Sequence, residues 1–142
     1  MITYPRPDEC LFYEGETFRV EWYYTAAGRL PAYEYYLTLD EAERERLKRI
    51  VRYIADGPFG TILSKTVYRI EDAAGKIYAF KSYADRFFNF TTEGRRIIIT
   101  NAYRKHSQKM GRQGREGLAA AARYRADYLR RAQEGIYYED ED

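Results

Sequence analysis

Short runs rich in β-branched and aromatic residues alternate with turn residues along this chain. Four of them follow one another in the second half, at residues 66–70, 77–82, 86–90 and 96–103, with turn signals at 72–75, 83–85 and 92–94. This spacing predicts four strands that pair as an antiparallel meander. An earlier run at residues 18–25 predicts one further strand.

Helical spacing of apolar residues occurs in the segments between and after these strands. Pro31 suits the first position of a short helix over residues 31–37, because proline has no N–H to leave unpaired there. Thr38 and Glu41 have the spacing of a capping box, which predicts that a second helix begins there and ends at Gly57. The apolar residues of this second helix fall on one face: Leu47, Ile50, Val51 and Ile54.

The last predicted helix covers residues 118–131 and is rich in alanine. Its predicted apolar face consists of Leu118, Ala122, Ala126 and Leu129. The resulting order is a strand, two helices, a meander and a closing helix. Because strands and helices are segregated, we expect an α+β fold with the helices packed on one face of an antiparallel sheet.

Composition limits the classes of protein that fit this pattern. A chain of 142 residues with 45% hydrophobic residues is suited to one domain and one core. Cys10 is the single cysteine, so the sequence excludes a disulfide framework within the chain and a cysteine-based metal site. There is no apolar run of about 18 residues and no apolar signal-peptide core at the start, so we expect a cytoplasmic protein that does not contact membranes.

Charge is distributed unevenly along the chain, although the net charge is only +2. Residues 1–75 carry a net −3, residues 76–131 carry +10, and residues 132–142 carry −5. The central basic block predicts a phosphate-binding face. We interpret 1–16 as an N-terminal extension and 132–142 as an acidic disordered tail, with folding of the tail onto the basic face as the alternative.

The segment 96–109 carries the strongest chemical signal within the basic block. A β-branched strand there runs into the sequence Tyr103-Arg104-Lys105-His106-Ser107-Gln108-Lys109. Strand alternation puts Tyr103 and Lys105 on the opposite face from Arg104 and His106 if the strand stays regular. We expect irregular backbone after Tyr103, which would let both sets face one polyanion.

Four segments in this order resemble the RelE/ParE superfamily of bacterial toxins, and most closely its HigB-like, phage-derived branch. They are residues 76–81, 85–90, 97–109 and 122–131. The resemblance implies a RelE-like α+β fold with an antiparallel sheet, an N-terminal helical hairpin and a C-terminal helix, in a toxin domain over residues 17–131.

This resemblance also implies a function. It points to the toxin of a type II toxin–antitoxin pair, a metal-independent and ribosome-dependent endoribonuclease that cleaves messenger RNA and inhibits translation. The implied partners are messenger RNA, the ribosome and an antitoxin of helix-turn-helix type, with no cofactor. Two alternatives remain open: a ParE-like gyrase inhibitor on the same scaffold, and a non-catalytic nucleic-acid-binding phage accessory protein.

Metal-free RNA cleavage requires a base for the 2′-hydroxyl, cations for the phosphorane and an acid for the leaving 5′ oxygen. The candidate catalytic residues are Arg86, Lys105, His106 and Tyr103, and the candidate phosphate-binding residues are Lys81, Arg104, Lys109 and Arg112. The family pattern locates Arg86 and Lys81. His106 departs from it, because the family often has lysine there.

Three of the candidates also have a purely structural interpretation. Arg86 could be a surface residue beside a turn, Lys81 a lysine that protects a sheet edge, and Tyr103 one of 16 tyrosines used for packing. Two tyrosine-rich segments, residues 21–24 and 34–36, are interpreted as core, with an antitoxin groove as the alternative.

Overall fold

The computed structural model of this chain describes residues 4–58, 68–106 and 111–138. After a short 3-10 turn at Asp8–Cys10, the elements are β1 (Leu11–Glu14), β2 (Arg19–Trp22), α1 (Pro31–Leu37), α2 (Glu41–Asp56), β3 (Tyr68–Asp72), β4 (Ile77–Ser82), β5 (Asp85–Thr91), β6 (Arg96–Arg104) and α3 (Arg112–Gln133). The fold is therefore α+β.

The strands form one six-stranded open sheet in the order β1-β2-β6-β5-β4-β3. The predicted meander is confirmed, because β3 to β6 pair antiparallel with their chain neighbours. The pairing of β2 with β6 is parallel, with Arg19 opposite Arg96, so the sheet is not purely antiparallel as expected. The helix pair follows two strands in the chain, so the expected N-terminal helical hairpin is wrong.

Local sequence signals place most helix and strand ends well. Helix α1 has the predicted bounds, and α2 buries its predicted apolar face. The capping box is displaced: Asp40 accepts from the Glu43 N–H at 2.8 Å, and Glu43 accepts from the Asp40 N–H at 3.3 Å. Thr38 instead donates its hydroxyl to the Tyr35 carbonyl, because it ends α1 rather than beginning α2.

The helices cover both faces of the sheet, which contradicts the expectation that they share one. On the first face Trp22 packs against Tyr36 of α1, with ring centroids 5.3 Å apart, and α2 lies alongside. On the second face Phe90 meets Tyr128 of α3 at 5.3 Å. We call these the α1/α2 face and the α3 face. Two covered faces explain why Phe87 and Phe88, successive residues of β5, are both buried.

Helix α3 buries a different side from the one predicted. Ala122, Ala126 and Leu129 of the expected apolar face are exposed, and Leu118 is half-buried. The buried residues of α3 are Gly114, Ala121, Tyr128 and Arg131. The many alanines of α3 give little contrast in hydrophobicity between its faces. The larger buried side chains, Tyr128 and Arg131, therefore mark the side that packs on the sheet. Among the helices of the described residues, none is long and apolar enough to cross a membrane.

The segments at both sides of the predicted toxin domain take part in the core. Strand β1 forms an edge of the sheet, and Tyr137 is fully buried in the segment that was grouped with the acidic tail. Arg6 and Tyr138 both bond the buried Glu21 carboxylate of β2, at 3.0 and 2.9 Å. Residues 139–142, the most acidic part of the predicted tail, lie outside the described residues.

The tyrosine-rich segments are core, as the first interpretation held. Trp22, Tyr23, Tyr24 and Tyr36 are buried. Tyr24 and Tyr137 interlock, since the Tyr24 hydroxyl donates to the Tyr137 carbonyl and the Tyr137 hydroxyl accepts from the Tyr24 N–H at 3.2 Å. With these rings packed internally, the alternative of an open antitoxin groove has no support there.

Candidate nucleic-acid interface

Three predicted site residues lie side by side across the α3 face of the sheet. Lys81 of β4 is the register partner of Arg86 of β5, and Arg86 is the register partner of Tyr103 of β6. Neighbouring strands are separated by about 4.8 Å, and directly opposed residues point to the same face. We call these three residues the cross-strand row.

Packing under α3 fixes the phenol end of this row. The Tyr103 ring stacks on Phe88 with centroids 5.7 Å apart and an angle of 15° between ring planes. Gly117 of α3 lies so close that a Cβ atom there would stand 2.8 Å from the Phe88 ring. Asn101 donates its side-chain amide to the Gly117 carbonyl at 2.9 Å, which holds α3 at this distance.

A tight turn orients the arginine of the row. The Arg86 Nη1 group donates to the carbonyl oxygens of Tyr83 and Asp85, at 2.8 and 3.0 Å. Tyr83 has a φ of 55°, in the left-handed region, as the two-residue connection between β4 and β5 requires. One edge of the guanidinium is thus held by the backbone, which limits the directions in which the rest can point.

The electrostatic surroundings of the row differ at its two ends. Burial lowers the pKa of Lys81 below the usual lysine value, and the neighbouring cations Arg86, Arg69 and Lys105 lower it further. Burial raises the pKa of Tyr103 above the usual tyrosine value. The phenol is therefore protonated at neutral pH, and the ammonium gives up its proton more readily than an exposed lysine does.

Lys105 follows Tyr103 by two residues, and its positive charge contributes to the lowered pKa of Lys81. Its backbone N–H donates to the Ala84 carbonyl at 2.8 Å. Strand β6 continues through Arg104, so the expectation of irregular backbone directly after Tyr103 is wrong. The regular strand keeps neighbouring residues on opposite faces.

Arg104, expected to bind RNA phosphate, consequently lies on the α1/α2 face. Its guanidinium contacts Glu43 of α2, and its Nε atom stands 3.4 Å from the Asp85 carboxylate. A cation that already has two carboxylate partners gains less from a phosphate than one that has none. The structure therefore separates Arg104 from the cross-strand row.

The carboxylate at the centre of this second cluster is fully buried. Asp85 accepts a hydrogen bond from the Tyr35 hydroxyl on Oδ1, and its Oδ2 has no partner among the described residues. Burial raises the pKa of Asp85 above the usual aspartate value, and the nearby Glu43 also raises it. We call Tyr35, Glu43, Asp85 and Arg104 the acid cluster.

The remaining predicted residues do not join the row in the described structure. His106 is exposed at the end of a described range. Arg112 is 86% exposed and pairs with Glu116 one turn further along α3, at 2.8 Å. Lys109 lies outside the described residues.

Two residues of β3 belong to this region and were missed in the sequence. The side chains of Arg69 and Glu71 form an ion pair with Nε and Oε1 4.0 Å apart. Arg69 faces Ala79 of β4, a residue buried under α3, so Arg69 lies on the α3 face, and the ion pair joins Glu71 to it. The strand predicted from the sequence ends at residue 70, so Arg69 falls inside it and Glu71 falls outside it. Within the described ranges, no group of His, Cys, Asp and Glu residues is placed to hold a metal ion.

Comparison with known proteins adds no assignment to this geometry. No protein-family model and no curated protein matches the chain.

Proposed function

We propose that this chain is the toxin of a type II toxin–antitoxin pair and a RelE-like endoribonuclease that cleaves messenger RNA in the cytoplasm. The cross-strand row is the observation that carries the proposal. It combines two cations with a phenol on one sheet face, and Lys105 adds a third cation. Cleavage uses no metal and takes place at the ribosome, which stops translation.

The reaction begins with attack of the RNA 2′-hydroxyl oxygen on the adjacent phosphorus. The hydroxyl proton goes to a base, an O2′–P bond forms, and the P–O5′ bond breaks as the 5′ oxygen receives a proton. The products are a 2′,3′-cyclic phosphate and a 5′-hydroxyl end. Charge accumulates on the phosphorane oxygens between these two events, so cations there lower the barrier.

The residues of the row divide these tasks. Arg86 offers a guanidinium whose planar geometry suits two phosphate oxygens, and Lys105 adds positive charge beside it. Lys81 and Tyr103 are the candidates for the acid, since the lysine has a lowered pKa and the phenol is protonated. The net +10 of residues 76–131 attracts the RNA backbone over a longer range.

Induction of the protein in a bacterium tests this proposal. Primer extension on total RNA after brief induction should show new 5′ ends within messenger RNA, and growth should stop. The double variant R86A/K105A should remove both effects while the protein stays folded. The variant R49A/R52A removes two exposed cations from α2 and should remain toxic.

Three results would contradict the proposal. Growth arrest with broken DNA and no new RNA ends would indicate a gyrase inhibitor. Salt-dependent RNA binding without a cut product would indicate a non-catalytic binding protein. Full toxicity of R86A/K105A would show that the cross-strand row is not the site.

Co-expression with a small helix-turn-helix protein encoded by the neighbouring gene should restore growth.

A further inference from the structure

Strand β3, at one edge of the sheet, has an irregularity beside the cross-strand row. Ile70 faces Tyr78 of β4, but Asp72 faces Ile77, so two steps along β3 match one step along β4. Glu71 is the extra residue at this bulge. Bulges at sheet edges redirect a side chain relative to the regular pleat, and they are common next to active sites.

The Glu71 side chain is buried to an unusual degree for a carboxylate on an edge strand. It is 8% exposed, whereas its ion-pair partner Arg69 is 55% exposed. Carboxylates are rarely this buried unless they are paired or have a specific use. One pairing at 4.0 Å with a largely exposed arginine is a weak compensation for that burial.

Glu71 also lies close enough to the row to act on both of its ends. After burial, its carboxylate is the next largest cause of the raised pKa of Tyr103. It opposes the lowering of the Lys81 pKa by burial and the neighbouring cations. The charge of one carboxylate therefore acts on a site otherwise made of cations and a phenol.

We propose that Glu71 is the general base that takes the 2′-hydroxyl proton, which makes the bulge of β3 a catalytic feature. This inference rests on the proposed ribonuclease activity and extends it. The 2′-hydroxyl proton moves to the Glu71 carboxylate as the O2′–P bond forms. The P–O5′ bond breaks, and the 5′ oxygen takes a proton from the acid of the row. Base and acid then stand on different strands, β3 for the base and β4 or β6 for the acid.

The test measures RNA cleavage by the purified wild-type protein and the E71Q variant, with ribosomes present. General acid–base catalysis accounts for about 10²- to 10⁴-fold in rate, so E71Q should lose at least about 100-fold in kcat with little change in KM. The E45Q variant alters a carboxylate on α2 and should cleave at the wild-type rate.

A modified RNA separates a base from an acid. Sulfur in place of the 5′ oxygen at the mapped cleavage site gives a leaving group that needs no proton. Loss of an acid is rescued by this substrate, whereas the E71Q defect should persist on it. The E71D variant keeps the charge and the fold but moves the carboxylate, and it should fall between the wild type and E71Q.

A purely structural role predicts a different pattern. If Glu71 only held Arg69, then R69Q would reproduce the E71Q defect. The double variant R69Q/E71Q would then cleave RNA no more slowly than either single variant. A wild-type cleavage rate in E71Q would overturn the role of Glu71 while leaving the ribonuclease proposal intact. A wild-type protein that cuts no RNA would overturn both.

Discussion

Two pairs of successive residues, Asp85-Arg86 and Tyr103-Arg104, send their side chains to opposite faces of the same sheet. On the α3 face, Arg86 and Tyr103 stand in the cross-strand row, beside further cations. On the α1/α2 face, Asp85 and Arg104 are neighbours in the acid cluster. The same two strands therefore carry a cationic surface on one side and a neutralised ion-pair cluster on the other.

The difference between the two faces shows what a count of charges leaves out. Arg86 and Arg104 contribute equally to the net +10 of residues 76–131. Arg104 has carboxylate partners from two elements, whereas Arg86 donates its hydrogen bonds to the backbone carbonyls of Tyr83 and Asp85. Carboxylate pairing, rather than sequence position, separates a structural arginine from one suited to phosphate.

Replacing each arginine in turn gives the largest expected contrast. R86A should lower the rate of RNA cleavage by at least about 100-fold, as expected for the loss of a group that stabilises transition-state charge. Its free energy of unfolding should change by less than about 1 kcal/mol, because Arg86 is not part of the core. Cleavage assays and urea unfolding measure the two effects.

The matched variant R104A should show the opposite pattern. Cleavage should stay within about threefold of wild type, since a substitution on the far face removes no phosphate contact. Unfolding should become easier, because Asp85 and Glu43 lose a cation. Equal losses of activity in the two variants would refute the division between the faces.

Filling the gap between α3 and the sheet should have the next largest effect. In G117A the new methyl group would stand 2.8 Å from the Phe88 ring, so either the ring or the helix has to shift. Overpacking of this kind costs about 1–3 kcal/mol in unfolding free energy. Thermal or urea unfolding measures it, with G94A as the control, because a methyl group at Gly94 meets only the Thr92 hydroxyl oxygen, at 3.9 Å. A fully stable G117A would contradict this close approach.

The acid cluster should give the protein a specific pH dependence. The pKa of Asp85 is raised in the folded protein, chiefly by burial, so the folded state binds this proton more tightly than the unfolded state does. The resulting stabilisation is complete below the unfolded pKa of about 4 and is lost as pH rises through the folded pKa.

Comparison of wild type with D85N isolates this effect. Urea unfolding of both proteins at a series of pH values should show wild type losing stability relative to D85N as pH rises from about 4. Asparagine retains an oxygen to accept from Tyr35 and does not ionise. A difference between the two proteins that is independent of pH would contradict a raised Asp85 pKa.

The smallest effect is expected at the start of α3. R112A removes an exposed ion pair with Glu116, and pairs of this kind contribute about 0.5 kcal/mol or less. Unfolding free energy should therefore be nearly unchanged. If RNA affinity measured by filter binding nevertheless falls several-fold, Arg112 belongs to the interface beyond the cross-strand row, as the sequence pattern predicts.

Local signals were sufficient for elements whose ends depend on their own residues. Pro31 and the Gly57-Pro58 pair mark helix ends that the structure confirms, and β4 has the predicted bounds. The parallel pairing of β2 with β6 joins residues far apart in the chain, so no local pattern predicts it. A usable signal for two covered faces was present in the runs Phe87-Phe88 and Ile97-Ile98-Ile99, which do not alternate with polar residues.

The site was predictable where strand alternation applied and not where register was needed. Strand alternation correctly predicted that the side chains of Tyr103 and Arg104 lie on opposite faces of the sheet, because β6 is regular through both residues. Lys81 and Arg86 stand side by side because two residues connect β4 and β5. The sequence signals predicted a turn over residues 83–85, which does not fix this register. Glu71 depends on a bulge, and a bulge leaves no clear trace in the order of polar and apolar residues.

The bond between Tyr138 and Glu21 joins residues that are 117 positions apart in the chain. Closing such long loops costs entropy before any contact compensates for it, so folds rich in distant pairings reach their native state slowly. During synthesis, Glu21 of β2 is made 117 residues before Tyr138, so this hydrogen bond forms long after the strand itself has been made.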